Sequence, residues 1–168
     1  WGYLYRFLLL TGQRLNEVAY MTDTEVRQGY HWHPHSQRTK NKQRHDVFLP
    51  RQAVEIINRD ARIAGQGDFV FTTTGDGAVR SFDKPNKRLR AKMHELAGRD
   101  LEHFTPHDLR RTCETGLAML GTPQPIIDRI TNHVTGRGMS RVYNMYDYRD
   151  EKLAAIQRWA DHVEGVVS

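Results

Sequence analysis

Cysteine is almost missing from this chain: Cys113 is the one example among 168 residues. That excludes an intrachain disulfide and any cysteine-rich zinc site. Its setting, Arg110-Arg111-Thr112-Cys113-Glu114, suits a small buried residue on a helix better than a reactive thiol. Long apolar runs are missing too. None approaches the roughly 18 residues that a membrane-spanning helix needs. An initiator Met and a secretory signal are also lacking at Trp1-Gly2-Tyr3-Leu4-Tyr5-Arg6, so the chain reads as a piece cut from a longer one. Internal repeats and low-complexity stretches are absent. Apolar residues are only 38% and charged residues 27%. Leu, Ile, Val and aromatics nevertheless recur throughout, as in one globular domain with its own core.

What the chain does have is positive charge in blocks. The formal net charge is +5. Residues 38–51 hold Arg38, Lys40, Lys42, Arg44 and Arg51 against Asp46 alone. Residues 80–99 hold Arg80, Lys84, Lys87, Arg88, Arg90, Lys92 and Arg99 against Asp83 and Glu95. The remainder is net acidic, so the positive charge is segregated onto two segments, as a polyanion partner requires.

The pattern of elements predicts an α+β fold, mostly helical with one small antiparallel sheet. Apolar spacing predicts a helix over 1–20 with a break or close packing at Gly12, and another over 51–64 through Val54, Ile57 and Ile63. Residues 26–50, punctuated by Gly29 and Pro34, predict two or three short strands with a turn near 40–44. Ser81 reads as the N-cap of a basic helix with Pro85 in its first turn and Gly98 at its end. Thr105-Pro106 opens a helix running to Gly121. Pro123 and Pro125 introduce a shorter one with Ile126, Ile127 and Ile130 on one side. A last helix over 148–163 carries Leu153, Ile156, Ala160 and Val163 at core spacing.

Separated segments carry the same kinds of polar group. Arg14 and Glu17 stand three apart on one side of a helix, as do His107 and Arg110. Lys40 and Lys42 flank the predicted turn. His133 follows the Ile-rich helix, and Tyr143, Tyr146 and Tyr148 come next. Together they suit phosphoryl transfer. Two guanidiniums clamp non-bridging oxygens, a His adds a donor or moves a proton, a Lys protonates a leaving oxygen, and a Tyr serves as nucleophile. Fixed cations then neutralise the transition state. No carboxylates are spaced for two-metal chemistry.

In this ordered set of boxes, from Leu8-Leu9-Leu10-Thr11-Gly12-Gln13-Arg14-Leu15-Asn16-Glu17-Val18 to the Tyr143 region, the chain resembles the tyrosine recombinase (phage-type integrase) family. The resemblance implies the family's catalytic-domain fold, with the N-terminal DNA-clamping domain lying outside this chain. It implies Arg14 as the first catalytic arginine, supported by Glu17, and Lys40 as general acid, with Lys42 the alternative. It matches His107 and Arg110 to the His-x-x-Arg box. His133 matches the histidine of the Gly-His box, where Asn132 replaces the usual Gly and is expected to be tolerated. Tyr143, ten residues after His133, fits the nucleophile spacing better than Tyr146 or Tyr148. The glycines at 136 and 138 suggest that its segment moves. The implied reaction needs no cofactor and no metal, and its partner is double-stranded DNA. Four protomers are expected on DNA, with the isolated domain monomeric, no membrane association, and action in the bacterial cytoplasm at the nucleoid. Lys42, Arg44, Arg80, Lys84, Lys87 and Arg88 are expected to contact phosphates. Arg111 is expected to face solvent or an internal acid. His94 and His103 fit no box. His31-x-His33-x-His35 places three imidazoles on one strand face, but Pro34 interrupts it and no carboxylate motif stands nearby. We therefore read exposed hairpin histidines rather than zinc ligands. A topoisomerase of the same chemistry and a non-cutting DNA-binding module are the competing functions.

Overall fold

The computed structural model describes residues 1–37, 39, 45–60, 63, 67–133 and 146–167. Helix α1 (Gly2–Thr11) stops because Gly12 takes φ 64° and caps it, its N–H returning to the Leu8 carbonyl. A Cβ at Gly12 would stand 3.0 Å from the Cys113 sulfur. The glycine is therefore both the break and the close contact, and the expected helix over 1–20 becomes two. Helix α2 (Leu15–Ala19) follows.

A 3-10 turn at Asp23–Glu25 leads into β1 (Val26–Arg27), β2 (His31–Trp32) and β3 (Val47–Phe48). These form one antiparallel sheet in that order, with Val26 opposite Trp32 and Trp32 opposite Val47. Trp32 is fully buried, and its indole N–H donates to Glu25. The predicted turn at 40–44, with Lys40, Lys42 and Arg44, lies outside the described residues.

Helix α3 (Arg51–Glu55) widens into a π turn over Ile56–Asp60. Ile56 and Ile57 stay in the core, while Ile63, expected there, is 50% exposed. Helix α4 (Asp83–Ala97) begins after Phe82, not at a Ser81 cap. Ser81 sits at φ 60° and makes no capping bond there. Pro85 does fall in the first turn and Gly98 does close the helix. Helix α5 (Pro106–Met119) starts as the Thr-Pro pair predicts, with a capping box between Thr105 and Asp108. Helix α6 (Gln124–Ile130) carries the three isoleucines on its buried side, and α7 (Arg149–Val167) completes the chain.

Two cores result. One joins α1, α2, the sheet and α3 around Phe7, Leu8, Met21, Trp32 and Phe71. The other joins α5, α6 and α7 around Leu117, Ile127, Ile156 and Trp159. Trp159 links them, since its indole N–H donates to the Leu9 carbonyl at 2.9 Å. A Cβ at Gly116 would stand 2.1 Å from the Trp159 ring, so only glycine lets α7 lie this close to α5. Helix α7 therefore packs on its own chain. Its buried edge carries Lys152 rather than Leu153, with the Lys152 ammonium 4.7 Å from the centre of the Phe48 ring. Among the described residues, no helix is long and apolar enough to cross a membrane.

Candidate active site

The end of α6 organises the site. Its last carbonyls lack intrahelical partners and carry the negative end of the helix dipole. Three successive carbonyls are met by three side chains from elsewhere. Ile130 accepts from Gln13 Nε2 at 2.9 Å, Thr131 from Arg110 Nη2 at 2.6 Å, and Asn132 from Arg14 Nη2 at 3.1 Å. Two guanidiniums 96 positions apart in sequence are thus drawn to adjacent atoms.

Helix α6 finishes in a Schellman turn. The His133 N–H returns to Asp128 at 2.8 Å and the Asn132 N–H to Arg129 at 3.5 Å. That turn needs a left-handed residue, and Asn132 supplies it at φ 53°. This is why glycine suits the position and why Asn, which tolerates that conformation, replaces it. The turn places His133 beside the arginines.

Arg110 is buried, and its ion pair with Glu114 lies one helical turn on, at 3.1 Å from Nε. Nη1 donates to the Gly12 carbonyl at 2.9 Å and Nη2 to Thr131. Each terminal nitrogen thereby uses one N–H and keeps one for a ligand, while Nε faces Glu114 at ion-pair distance. Arg14 is half-buried, and its Nη1 donates to Glu17 at 3.2 Å. Burial and the neighbouring Arg14 charge lower the Arg110 pKa, while Glu114 and Glu17 oppose them. The His133 pKa is also lowered, by burial and then by Arg110, with Glu114 opposing. The ring is therefore neutral at pH 7.

An open cleft of about 530 Å³ is lined by Gln13, Arg14, Glu17, Thr105, His107 and Arg110, among others. His107 is exposed at its rim. A second cleft, containing Lys87 and Arg90 of α4, shares Thr105 and Pro106 with it. The α4 cations Lys84, Lys87 and Arg88, and Arg80 before them, are exposed. Arg90 ties α4 to the site's edge by donating to His103 and to the Phe104 carbonyl. Arg111 is exposed and pairs with Asp108 at 3.4 Å.

The structure thus brings Arg14, Glu17, His107, Arg110 and His133 together. Tyr143, Lys40, Lys42 and Arg44 lie outside the described residues. Of the other tyrosines, Tyr146 donates its hydroxyl to Glu151 at 3.3 Å, and Tyr148 lies under the Arg129 guanidinium, 4.3 Å from its ring centre. The hydrogen bond to Glu151 raises the Tyr146 pKa. Burial raises that of Cys113, which packs as an inert thiol. His31 and His33 prove half-buried rather than exposed, because His33 pairs with Asp46 at 2.6 Å and His31 packs on Phe48. His35 is exposed. Among the described residues, no group of three His, Cys, Asp or Glu is placed to hold a metal ion.

Sequence reading missed three supports: Gln13, His45 and Glu114. Glu114 had a visible signal, lying four residues after Arg110 on the same helix face. Gln13 and His45 had none. The Gln13 amide nitrogen faces the Thr11 and Ile130 carbonyls, so its oxygen faces His45 Nε2, 3.2 Å away. His45 must therefore carry its proton on Nε2. It is 6% exposed. Burial, reinforced by the Lys152 charge, lowers its pKa to about 3.

Between the ordinary histidine range and pH 3, the unfolded chain takes up a proton that the folded chain refuses. The stability this confers is present above about pH 6.5 and is lost as pH falls, at about 1.4 kcal/mol per pH unit. Denaturant unfolding is expected to show about 2 kcal/mol less stability at pH 5 than at pH 7 from this residue alone. His45→Gln, which keeps a donor at the same reach, is expected to remove that part of the slope. An unchanged slope would show that His45 does not carry it.

Comparison with known proteins places this arrangement. The phage integrase family profile matches residues 3–149. Prophage integrase IntA of Escherichia coli K12 is 27% identical over 169 aligned positions, covering 98% of this chain and 39% of that protein. The chain thus spans about two fifths of that relative's length. Among solved structures, the XerH site-specific recombinase bound to difH substrate superposes with a TM-score of 0.61 at 17% identity, over 88% of this chain and 43% of that one. The Tn1549 transposon integrase with circular intermediate DNA gives 0.60 at 19%, over 88% and 54%. XerA recombinase gives 0.60 at 18%, over 93% and 54%. At these identities the structures establish a shared fold, that of recombinase catalytic domains, which is the mostly helical α+β arrangement expected. With the profile spanning nearly the whole sequence and the arginines converging as the boxes imply, the chain belongs to the phage integrase family.

Proposed function

We propose that this chain is the catalytic domain of a tyrosine-type, site-specific DNA recombinase, an integrase of a prophage or similar mobile element. The observation that carries the reading is the paired presentation of Arg14 and Arg110 at one cleft, with His107 and His133 beside them. Their free N–H groups match two non-bridging phosphate oxygens. The Tyr143 hydroxyl attacks the phosphorus of a DNA phosphodiester and gives up its proton to solvent or a neighbouring base. A 3′-phosphotyrosyl bond forms, the bond to the 5′-oxygen breaks, and Lys40 supplies the proton that oxygen needs. A 5′-hydroxyl then attacks the phosphotyrosyl ester, frees the tyrosine and rejoins a strand. Bond energy stays in the ester throughout, so no nucleotide cofactor takes part.

The related DNA complexes of XerH and the Tn1549 integrase support duplex DNA as the partner. The exposed cations of α4, beside the cleft, supply sequence-independent affinity. Recombination between two duplexes uses four copies of the chain, in the cytoplasm where the DNA lies.

Supercoiled plasmid is the test substrate, since it presents many phosphates. With EDTA present, wild-type protein is expected to relax it and, after a detergent quench, to stay covalently linked to it. Linkage with no exchange between duplexes would favour a topoisomerase. Binding with neither relaxation nor linkage would point to a non-cutting module and overturn the proposal.

A further inference from the structure

Glu114 matches no box of the family pattern, yet it lies between two groups of the site. Its Oε1 is 3.1 Å from Arg110 Nε and 3.4 Å from His133 Nε2. That oxygen is sealed from solvent and has no aligned hydrogen-bond donor among the described residues. It meets both nitrogens at ion-pair distance instead. The His133 backbone is fixed by the Schellman turn, but its side chain is 41% exposed. Its ring meets this carboxylate through Nε2.

We propose that Glu114 is a positioning residue that holds the His133 ring with its proton on Nε2 and its Nδ1 lone pair free. A carboxylate facing Nε2 favours the tautomer with hydrogen on that nitrogen, as carboxylate–histidine pairs do elsewhere. Among the described residues, the charged groups that act on the ring are Arg110 and Glu114 from α5, Arg14 from the turn before α2, and Asp128 from α6. The two guanidiniums oppose protonation and the two carboxylates favour it. Glu114 is the stronger of the favouring pair, and it offsets the cations that phosphate binding requires. Its consequence for DNA cleavage rests on the recombinase reading above; its effect on His133 does not.

Nitrogen-15 spectra of the histidine rings, recorded against pH on the DNA-free chain, test this. In wild type, His133 is expected to be in the Nε2–H form. Finding mostly Nδ1–H would overturn the proposal with no variant needed. Glu114→Gln keeps an acceptor but removes the charge, so it should keep the tautomer and lower the His133 midpoint by about one pH unit. Glu114→Leu should lower the midpoint and lose the tautomer preference. The Trp159 indole signal, which reports the junction of the two cores, checks that each variant is folded. A midpoint unmoved in Glu114→Gln would reduce Glu114 to a counter-ion for Arg110. In the plasmid assay, the acid limb of the rate profile should move with the His133 midpoint. A chain that never links DNA would remove the recombinase reading and leave the spectroscopic result standing.

Discussion

Arg110→Ala is expected to cost this protein both fold and chemistry. The Arg110 side chain bonds the Gly12 carbonyl at the end of α1 and the Thr131 carbonyl at the end of α6, and it pairs with Glu114 on its own helix. Three elements meet at one guanidinium. Removing it leaves two carbonyls without their donor and a partly buried carboxylate without its cation. Breaking a buried pair in this way costs about 3–5 kcal/mol, a large share of a typical domain's stability. Denaturant unfolding should show that loss. Linkage to plasmid DNA should also fall by about a thousandfold or more, because a preorganised transition-state donor goes with it. Arg110→Lys separates the two effects. It keeps the charge, but a single ammonium cannot serve three separate acceptors and a phosphate. We expect a folded protein about a hundredfold slower than wild type, on the scale of one lost oxyanion donor. A lysine variant with wild-type linkage would show that the planar fork is not what the site uses.

Tyr143→Phe is expected to abolish covalent linkage altogether while leaving DNA affinity unchanged in a gel-shift titration. The variant loses one oxygen, the atom proposed to attack phosphorus, and none of the cations proposed to hold phosphate. The other two tyrosines near the site are poor substitutes. Tyr146 is occupied with Glu151, which keeps its proton on. Tyr148 is anchored under Arg129 in a left-handed backbone conformation at the start of α7. If linkage persists in Tyr143→Phe, the assignment of the nucleophile is wrong and Tyr146 is the next variant to make.

The parts of this molecule legible in its sequence are those set by neighbours along the chain. Thr105-Pro106 with Asp108 spells a helix start, and Gly98 spells a helix end, because capping is local chemistry. Gly12 announced a break for the same reason. Ser81 misled because Phe82, packed against Trp1, sets where α4 begins, and Ser81 serves only as a left-handed turn residue. Ile63 misled because the described helical turns end at Asp60 and Ile63 lies beyond them, exposed. Lys152 took the place in the core that periodicity gave to Leu153, since its stem and ammonium lie over Phe48. At the site, the His-x-x-Arg spacing was readable as a helix face, whereas Arg14, expected on one helix side with Glu17, precedes α2 in extended backbone and reaches Glu17 from its N-terminus. The partnership of Arg110 and Arg14 with consecutive carbonyls was not readable, because it joins three distant segments through backbone atoms that have no sequence signature. The Gln13–His45 bond was hidden for the same reason, spanning two loops that only the fold brings together.

The central claim is that a tyrosine of this chain stores DNA bond energy as a phosphoester without a metal ion. The most direct measurement is to form the adduct with plasmid in EDTA, digest the protein and the DNA, and identify by mass the peptide that retains a nucleotide. The account predicts a single modified peptide, carrying its nucleotide on Tyr143. A nucleotide on another residue would reassign the nucleophile. Strand cleavage that disappears in EDTA, with no nucleotide-bearing peptide, would contradict the mechanism itself.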